Sequence, residues 1–175
     1  MYTADYFISK LGLEGHIEGG YFREIYRNSF NTGCKGYKHD FVGERALSTT
    51  IYFLLKSGQV SKFHKLKFDE LWFYHYGCPM LIHMIDEQGS YKSAALGLNI
   101  DKGELPQILV PSNTIFGAEP LDADTFSFVS CMVTPGFDYR DFYLYEEKEL
   151  IDKYPEHQGI ITRLNGPRTT NVKNT

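Results

Sequence analysis

Short apolar segments, separated by turn residues about every eight to twelve positions, run from Leu47 to Phe137 and constrain the fold more than any other feature. LSTTIYFLL, MLIHMID and TFSFVSCMVTPGF are typical segments, and Gly, Pro, Asp or Ser occupies the turns between them. Regular turns between short segments are typical of an all-β sandwich or small barrel. Thirteen Tyr, thirteen Phe and one Trp agree with this, because aromatic side chains pack well on pleated sheets. The pattern therefore predicts an all-β fold.

Helical patterns occur only near the two ends of the chain. Residues 3–11 predict a short helix capped by Thr3, and the acidic segment 146–154 predicts a second one. The sequence contains no internal repeat and no linker, and 175 residues is the size of one domain. We expect a single domain over residues 1–162, followed by a polar, flexible tail over 163–175.

Charge and composition argue against several classes of partner. The net charge is −4, and the short groups of lysines are interspersed with acids, so we expect no nucleic-acid partner. No apolar stretch is long enough to span a membrane, and the N-terminus lacks the apolar region of a signal peptide. Cys34, Cys78 and Cys131 are odd in number and form no CxxC pair. Free thiols in a reducing compartment are the simplest interpretation. With no signal peptide and no membrane span in the pattern, the cytoplasm is expected by default.

One stretch, SKFHKLKFDELWFYHYG (61–77), has a spacing that resembles the first motif of the cupin superfamily. That motif runs Gly, five residues, His-x-His, a Glu, six residues and Gly. Here Gly58 is followed after five residues by His64, and six residues separate Glu70 from Gly77. Leu66 takes the place of the second histidine. The resemblance implies a small β-barrel of jelly-roll form.

The second cupin motif, Pro-x-Gly-x-x-His, is also recognisable but altered. Asn113 takes the place of its glycine, and Phe116 takes the place of its histidine. Further segments resemble the cupin-5 family, formerly a domain of unknown function: EGGYFREIYRN (18–28), TTIYFLL (49–55), LG (96–97), VPSNTIFGAE (110–119) and TPGFDYRDF (134–142). The resemblance implies an RmlC-like double-stranded β-helix with short flanking helices, and it implies no particular activity.

The resemblance also bears on oligomerisation. Cupins often pair through their N-terminal strands, and the aromatic-rich segment from Tyr21 to Phe41 suits such an exchange. We therefore expect a homodimer.

A typical metal-binding cupin offers three histidines and one glutamate, a set that suits iron or manganese. This chain retains His64 and Glu70, but Leu66 and Phe116 occupy the positions of the other two ligands. Two ligands seldom hold a divalent ion against water. We therefore expect no metal cofactor.

Some cupins without metal, notably sugar-nucleotide epimerases, are acid–base enzymes that need a histidine beside a carboxylate. His64 and Glu70 are the candidate catalytic residues, and both are expected to face the barrel interior. Strand alternation places Trp72 and Tyr74 on the same face as Glu70. The candidate ligand-binding residues are Arg23, Tyr52, Trp72, Tyr74 and Phe116, with Glu18, Lys65 and Asp69 at the rim.

In the segment that contains Arg23, successive side chains are expected to point to opposite sides of a strand. Tyr21, Arg23, Ile25 and Arg27 are expected on one side of a strand, and Phe22, Glu24 and Tyr26 on the other. Arg23 is the candidate contact for an anionic group. The glycines at positions 19 and 20 predict a turn or bulge before this strand.

Purely structural roles are also open for several of these residues. A single inward histidine such as His64 is often a hydrogen-bonded core residue. Trp72 and Phe116 fit a plain core, and Arg23 fits a pair with a neighbouring acid. A buried Glu70 is harder to explain in this way, because a buried carboxyl needs a partner.

Two functional hypotheses follow, and whether the protein is an enzyme stays open between them. The first is a barrel that binds a small polar or ring-shaped ligand without metal and without turnover. The alternative is a metal-independent epimerase or isomerase acting on a sugar or sugar-nucleotide through His64 and Glu70, with Tyr139 or Tyr52 as a possible proton donor. A metal-dependent cupin enzyme needs ligands that the sequence does not supply.

Overall fold

Thirteen β-strands and three α-helices make up the described part of a computed structural model, which covers residues 2–33, 35–37 and 40–167. The strands are β1 (Glu14–Gly15), β2 (Tyr21–Arg27), β3 (Asn31–Thr32), β4 (Arg45–Ala46), β5 (Thr49–Lys56), β6 (Ser61–Leu66), β7 (Asp69–Gly77), β8 (Met80–Ile85), β9 (Tyr91–Leu96), β10 (Gln107–Val110), β11 (Ile115–Pro120), β12 (Phe126–Thr134) and β13 (Phe142–Leu144). The α-helices are α1 (Ala4–Leu11), α2 (Glu147–Lys153) and α3 (Gln158–Asn165). Short 3₁₀ turns occur at Ile100–Lys102, Tyr139–Asp141 and Pro155–His157.

The strands form two large antiparallel sheets that face each other. One has the order β1-β2-β5-β12-β7-β10 and the other the order β13-β6-β11-β8-β9, while β3 and β4 pair separately. From β5 onward the chain crosses repeatedly from one sheet to the other, which is how a double-stranded β-helix is wound. The all-β prediction is confirmed.

The hydrophobic core lies between the two sheets, and β6 shows how the sequence produces it. His64 and Leu66 are buried toward the barrel interior, where the residues of the main core cluster lie. Phe63 points the opposite way and is buried as well, because helices cover that outer face. Because both faces of β6 are covered, burial does not alternate along it, and the polar Ser61 and His64 are buried as well as Phe63 and Leu66.

Helices cover the outer faces of both sheets. α1 begins after Thr3, whose Oγ1 accepts a hydrogen bond from the Tyr6 amide at 3.2 Å, as the sequence predicts. Its Phe7 stacks on Phe128 of the six-stranded sheet. α2 and α3 pack on the five-stranded sheet through Leu150 and Ile161. In the described ranges no helix has the length and hydrophobicity needed to cross a membrane.

The predicted tail does not begin at residue 163. α3 continues to Asn165, and Leu164 is fully buried. The Asn165 side chain accepts from the Phe63 amide at 2.9 Å and donates to the Tyr145 carbonyl at 2.8 Å, so it satisfies two buried backbone groups. These contacts fix the segment against the barrel. Residues 168–175 of the predicted tail lie outside the described residues.

A buried ion pair holds the long loop between β2 and β5. The Arg45 guanidinium donates to the Asp141 carboxylate through Nε at 2.5 Å and Nη2 at 3.2 Å, and it also donates to the Val42 carbonyl at 3.0 Å. A buried charge pair is tolerated when its hydrogen bonds are satisfied in this way. The pair ties the loop to the segment that follows β12, beside one end of the barrel.

The turn between β1 and β2 approaches β6 very closely. The Glu18 carbonyl accepts from the Lys62 amide at 2.8 Å, and Gly19 lies directly against the Val60 carbonyl. A Cβ added at Gly19 would lie 2.0 Å from the Val60 oxygen, and the backbone there has a φ of +117°. Only glycine fits this contact and this conformation.

We expect Gly19→Ala to lower the free energy of unfolding by about 3 kcal/mol, because the new methyl group clashes with backbone and the positive φ is strained. Urea unfolding followed by fluorescence of the single tryptophan, Trp72, measures the change. Gly15→Ala is the matched control, since nothing lies within 4 Å of its added Cβ. Its free energy of unfolding should change by no more than about 0.5 kcal/mol. Equal losses in the two variants would contradict the role of the close contact.

Candidate functional site

A cavity of about 430 Å³ lies between the two sheets. Its apolar wall consists of Phe22, Ile51, Phe53, Leu66, Trp72, Cys131, Val133, Phe137 and Phe142. Its polar side chains are His16, Glu18, Glu24, Arg27, Thr49, His64, Glu70, Asp138 and Tyr139. Arg27, Glu24 and Tyr139 are solvent-exposed and mark the open end, whereas Glu18, His64 and Glu70 are buried.

Glu70 and Trp72 both face this cavity from β7, as strand alternation predicts. Trp72 Nε1 donates to Glu70 Oε2 at 2.8 Å. Burial, together with the smaller effect of the nearby Glu18 carboxyl, raises the pKa of Glu70 to about 8, while the Trp72 hydrogen bond opposes the shift. At neutral pH Glu70 is therefore mainly a protonated carboxylic acid that can donate as well as accept.

His64 faces the cavity from β6 in a neutral form. Its Nδ1 lies 2.7 Å from the Lys62 carbonyl oxygen, and because a carbonyl only accepts, Nδ1 carries the hydrogen. Burial lowers the pKa of His64 to about 4, with the Lys62 carbonyl acting weakly in the other direction. The lone pair of the neutral ring is then on Nε2, which lies 3.3 Å from Glu18 Oε2.

Glu18 is the main site residue that the sequence misplaces. The sequence predicts it at the rim, but the β1–β2 turn carries it inward until only 7% of the residue is exposed. Ser61 Oγ donates to Glu18 Oε1 at 2.9 Å, and burial raises the Glu18 pKa. A raised pKa favours the protonated carboxyl, the form of Glu18 that can donate to the Nε2 lone pair of His64. The only sequence signal for this arrangement is the double glycine that permits the turn.

His16 enters the cavity on the same turn, and nothing in the sequence singles it out. Its Nδ1 accepts from the Glu18 amide at 3.4 Å and lies 3.5 Å from Glu18 Oε2. Its ring meets that of Phe22 edge-on at 4.5 Å, and burial lowers its pKa. His16, Glu18, His64 and Glu70 together form what we call the acid–imidazole cluster.

The cation at the open end is Arg27, and a bulge explains why. In the β2–β5 pairing the register shifts between Glu24 and Tyr26, which leaves Ile25 as an extra residue. A bulge reverses the alternation that follows it. Arg27 therefore joins Glu24 on the cavity side, where its guanidinium binds the Glu24 carboxylate at 2.6 Å and 2.9 Å. The expected placement of Arg27 beside Arg23 is wrong.

Arg23 and Tyr52 do not line the cavity. They are paired neighbours on β2 and β5 and point to the outer face of the six-stranded sheet. Arg23 Nη1 donates to the Leu11 carbonyl of α1 at 2.8 Å, and the Tyr52 ring packs against Phe128 and His75. Strand alternation itself sets this outcome, because both residues are opposite in parity to the cavity-facing Phe22 and Phe53.

Tyr74 and Phe116 also lie away from the cavity surface, although both pack into the main core. The Tyr74 hydroxyl donates to the Gly77 carbonyl beyond a second bulge, which lies between Tyr74 and Tyr76. Phe116 packs behind His64, with 4.1 Å between the ring centroids. Of the seven residues predicted for the site, the cavity brings together His64, Glu70 and Trp72.

The residues present do not fit the usual cupin metal set. Leu66 and Phe116 supply carbon atoms where two histidine ligands would be expected, and His64 Nε2 faces Glu18. His83 is buried elsewhere, between the Tyr91 hydroxyl at 2.7 Å and Glu119 at 3.2 Å. Across the described ranges, no group of three or more His, Cys, Asp or Glu side chains is arranged to hold a metal ion.

Known proteins share this fold and much of this sequence. The family described as Cupin superfamily (DUF985) matches residues 5–145, which is most of the chain. The chain belongs to the cupin superfamily. The resemblance seen in the two altered motifs is thereby confirmed, and this cupin is a member of the DUF985 branch. No match is found among curated proteins.

Solved structures similar to this cupin include two of high sequence identity and a more distant one. A Shewanella oneidensis protein, SO0799, is 42% identical over 96% of this chain and all of its own, with a TM-score of 0.85. A hypothetical protein from Leishmania major is 36% identical over 93% of this chain and 98% of its own, with a TM-score of 0.83. Oxalate decarboxylase from Bacillus subtilis is 16% identical, with a TM-score of 0.52 over 89% of this chain and 38% of its own, and it supports the fold alone.

The raised pKa of Glu70 predicts how stability depends on pH. Between the ordinary value of 4.5 and about 8, the folded protein holds a proton on Glu70 that the unfolded chain has lost. The contribution of Glu70 to the free energy of unfolding therefore decreases as pH rises through this window. Glu70→Gln keeps an acceptor for Trp72 and removes the titration. We expect the free energy of unfolding of this variant, relative to that of wild type, to increase by on the order of 2 kcal/mol from about pH 5 to about pH 9.

Urea unfolding at a series of pH values measures this difference. Glu14→Gln, at an exposed position on β1, is the control and should follow the wild-type pH profile. A constant difference between Glu70→Gln and wild type across the range would show that Glu70 ionises normally.

Proposed function

We propose that this cupin binds a small, ring-shaped organic molecule in the barrel cavity and does so without a metal. The observation that carries the proposal is the combination of aromatic walls with the acid–imidazole cluster at the buried end. A cavity of about 430 Å³ is within the usual size of small-molecule sites, which are mostly apolar with a few convergent polar groups.

The walls favour a flat ligand. Trp72 and Phe53 meet edge to face at 5.7 Å, so each ring is held in place by the other. Phe142 packs against His64 at 5.3 Å and continues the aromatic surface on the opposite sheet. Rigid rings that line a cavity bind a flat molecule with little loss of side-chain entropy.

The polar end supports recognition of hydrogen-bonding groups. Trp72 occupies only Oε2 of Glu70, and no described residue hydrogen-bonds to Oε1. A carboxyl oxygen held in this way can donate or accept toward a ligand. Glu18 and His64 supply further polar atoms close by. None of these contacts requires a metal, and the proposal involves none.

A second candidate function is a metal-independent isomerase or epimerase that moves a proton within a sugar-like ligand. It is favoured by the 3.3 Å contact of His64 Nε2 with Glu18, which links a neutral base to a carboxyl group, and by the protonated Glu70 as a donor. Arg27 is already paired with Glu24, so the open end is better suited to an uncharged sugar than to a nucleotide diphosphate.

Ring-shaped molecules should quench or shift the fluorescence of Trp72, the single tryptophan, because it lines the cavity. We expect a screen of sugars, nucleobases and simple aromatic compounds to give ligands whose binding Ile51→Phe weakens at least about tenfold by filling the cavity. Ile100→Phe makes the same change at an exposed position and should leave binding unaltered. If no compound binds in a way that Ile51→Phe disrupts, the proposed function is wrong.

We also propose that this cupin forms a homodimer through the free edge of β2. β1 pairs only with Tyr21 and Phe22, and no other described strand covers the rest of this edge. Ile25 and Tyr26 are exposed there. An exposed strand edge with apolar side chains is suited to pairing with a second copy.

Light scattering after gel filtration should give twice the chain mass of 20.1 kDa. Ile25→Lys should shift the protein toward the monomer, since it places a charge on the proposed interface. Leu109→Lys changes an exposed leucine on β10, the opposite edge strand, and should leave the dimer intact. A monomeric wild type across a wide concentration range contradicts the dimer.

The remaining expectations concern partners and compartment. Cys78 and Cys131 are free and buried, which agrees with the proposed cytoplasmic location. The net charge of −4 supports the proposal that nucleic acid is not a partner.

A further inference from the structure

We propose that the ligand of the barrel cavity is an organic cation, with Glu18 and Glu70 as the acidic groups that receive it. This inference rests on the proposed function, because it names the class of molecule that the cavity binds. The charges that line the cavity, and the way in which each is paired, favour this class of ligand.

Two of the four carboxyl groups that line the cavity are already neutralised. Glu24 forms a two-point pair with Arg27, and Asp138 forms a two-point pair with Arg140. Both pairs lie at the solvent-exposed end. Because each pair is neutral overall, the open end of the cavity carries little net charge. A charged ligand therefore meets no strong electrostatic repulsion there.

Glu18 and Glu70 have no such partner. Among the described side chains that line the cavity, Arg27 is the one lysine or arginine, and it is committed to Glu24. The imidazoles near Glu18 are His16 and His64, and burial lowers the pKa of both, so they are neutral at pH 7. The buried end therefore holds two acids and no permanent positive charge.

A buried acid without a cation is expected to stay protonated, because ionisation in a low-dielectric site is costly. Glu70 is 6% exposed, and its Oε1 atom makes no hydrogen bond to any described residue. A positively charged ligand at this position would supply the missing counter-charge, and the acid would then ionise. An anionic ligand would meet two acids and no free cation, which makes it the least favourable class.

The aromatic walls support the same class of ligand. The faces of Trp, Tyr and Phe rings attract cations, and desolvated contacts of this kind are among the stronger ones. Phe22, Phe53, Trp72 and Phe142 all line the cavity. A flat amidinium or ring-bearing ammonium ion can satisfy both the rings and the acids, whereas a hydrated inorganic ion would lose its water against carbon.

Cation binding at this site is coupled to proton release. The empty site keeps Glu70 protonated below about pH 8, so a cation that binds the ionised form displaces that proton. Affinity for a cation should therefore rise with pH up to about 8. Affinity for an uncharged molecule of the same shape should stay constant or fall over the same range.

Benzamidinium, benzamide and benzoate test this directly, because they share one planar shape and are positive, neutral and negative between about pH 6 and about pH 9. Titration followed by Trp72 fluorescence gives the Kd of each. We expect benzamidinium to bind tightest, at least about tenfold more tightly than benzamide at about pH 8. Its affinity should increase by about tenfold or more from about pH 6 to about pH 8.

Glu70→Gln identifies the acid that is responsible. This variant keeps the acceptor for Trp72 and cannot ionise, so benzamidinium should lose at least about tenfold in affinity at about pH 8, most of its pH dependence and its advantage over benzamide. Glu14→Gln, at an exposed position outside the cavity, should match wild type for all three compounds. Unchanged benzamidinium binding in Glu70→Gln would overturn the role of Glu70.

The remaining outcomes separate this inference from the proposed function. If benzamide or benzoate binds at least as tightly as benzamidinium and Ile51→Phe abolishes that binding, the cavity is a ligand site and the cation inference is wrong. If none of the three binds, the cation inference is also wrong, and the wider screen of ring molecules decides the proposed function.

Discussion

The close approach of the β1–β2 turn to β6 is the constraint on which the site depends. Gly19 allows the turn to lie against the Val60 carbonyl, and the Lys62 amide donates to the Glu18 carbonyl. Because the turn lies so close to β6, it carries the Glu18 carboxyl to Ser61 and His64 instead of leaving it in solvent. Without this contact the cavity would keep its aromatic walls and lose half of its acid–imidazole cluster.

Burial then determines the chemistry of that cluster. Desolvation raises the pKa values of Glu18 and Glu70 and lowers that of His64, so every group is driven toward its neutral form. Groups in this state can exchange protons and accept a change of charge when a ligand arrives. The same property underlies both the binding hypothesis and the isomerase alternative.

Strand alternation places a side chain correctly where it is regular and the inward face is known; it fails where that face is not known, as at Arg23 and Tyr52, or where a bulge interrupts it. Glu70 and Trp72 were placed correctly from a two-residue period along β7. The period breaks at Ile25 in β2, and Arg27 consequently reaches the cavity. Arg23 precedes this bulge and, by regular alternation with the cavity-facing Phe22, binds α1 on the outer face. A bulge depends on how two strands pair, so it leaves no clear mark on either strand alone.

By itself, the sequence determined the all-β jelly roll, the family, the capped first helix and the absence of two usual metal ligands at Leu66 and Phe116. These features follow from local patterns and from motif spacing. The tertiary structure alone decided that Glu18 and His16 join His64 inside the barrel. It also decided that Arg27, paired with Glu24, lies at the exposed end of the cavity. Those outcomes depend on contacts between segments distant in the chain, where a turn, a bulge and burial act together.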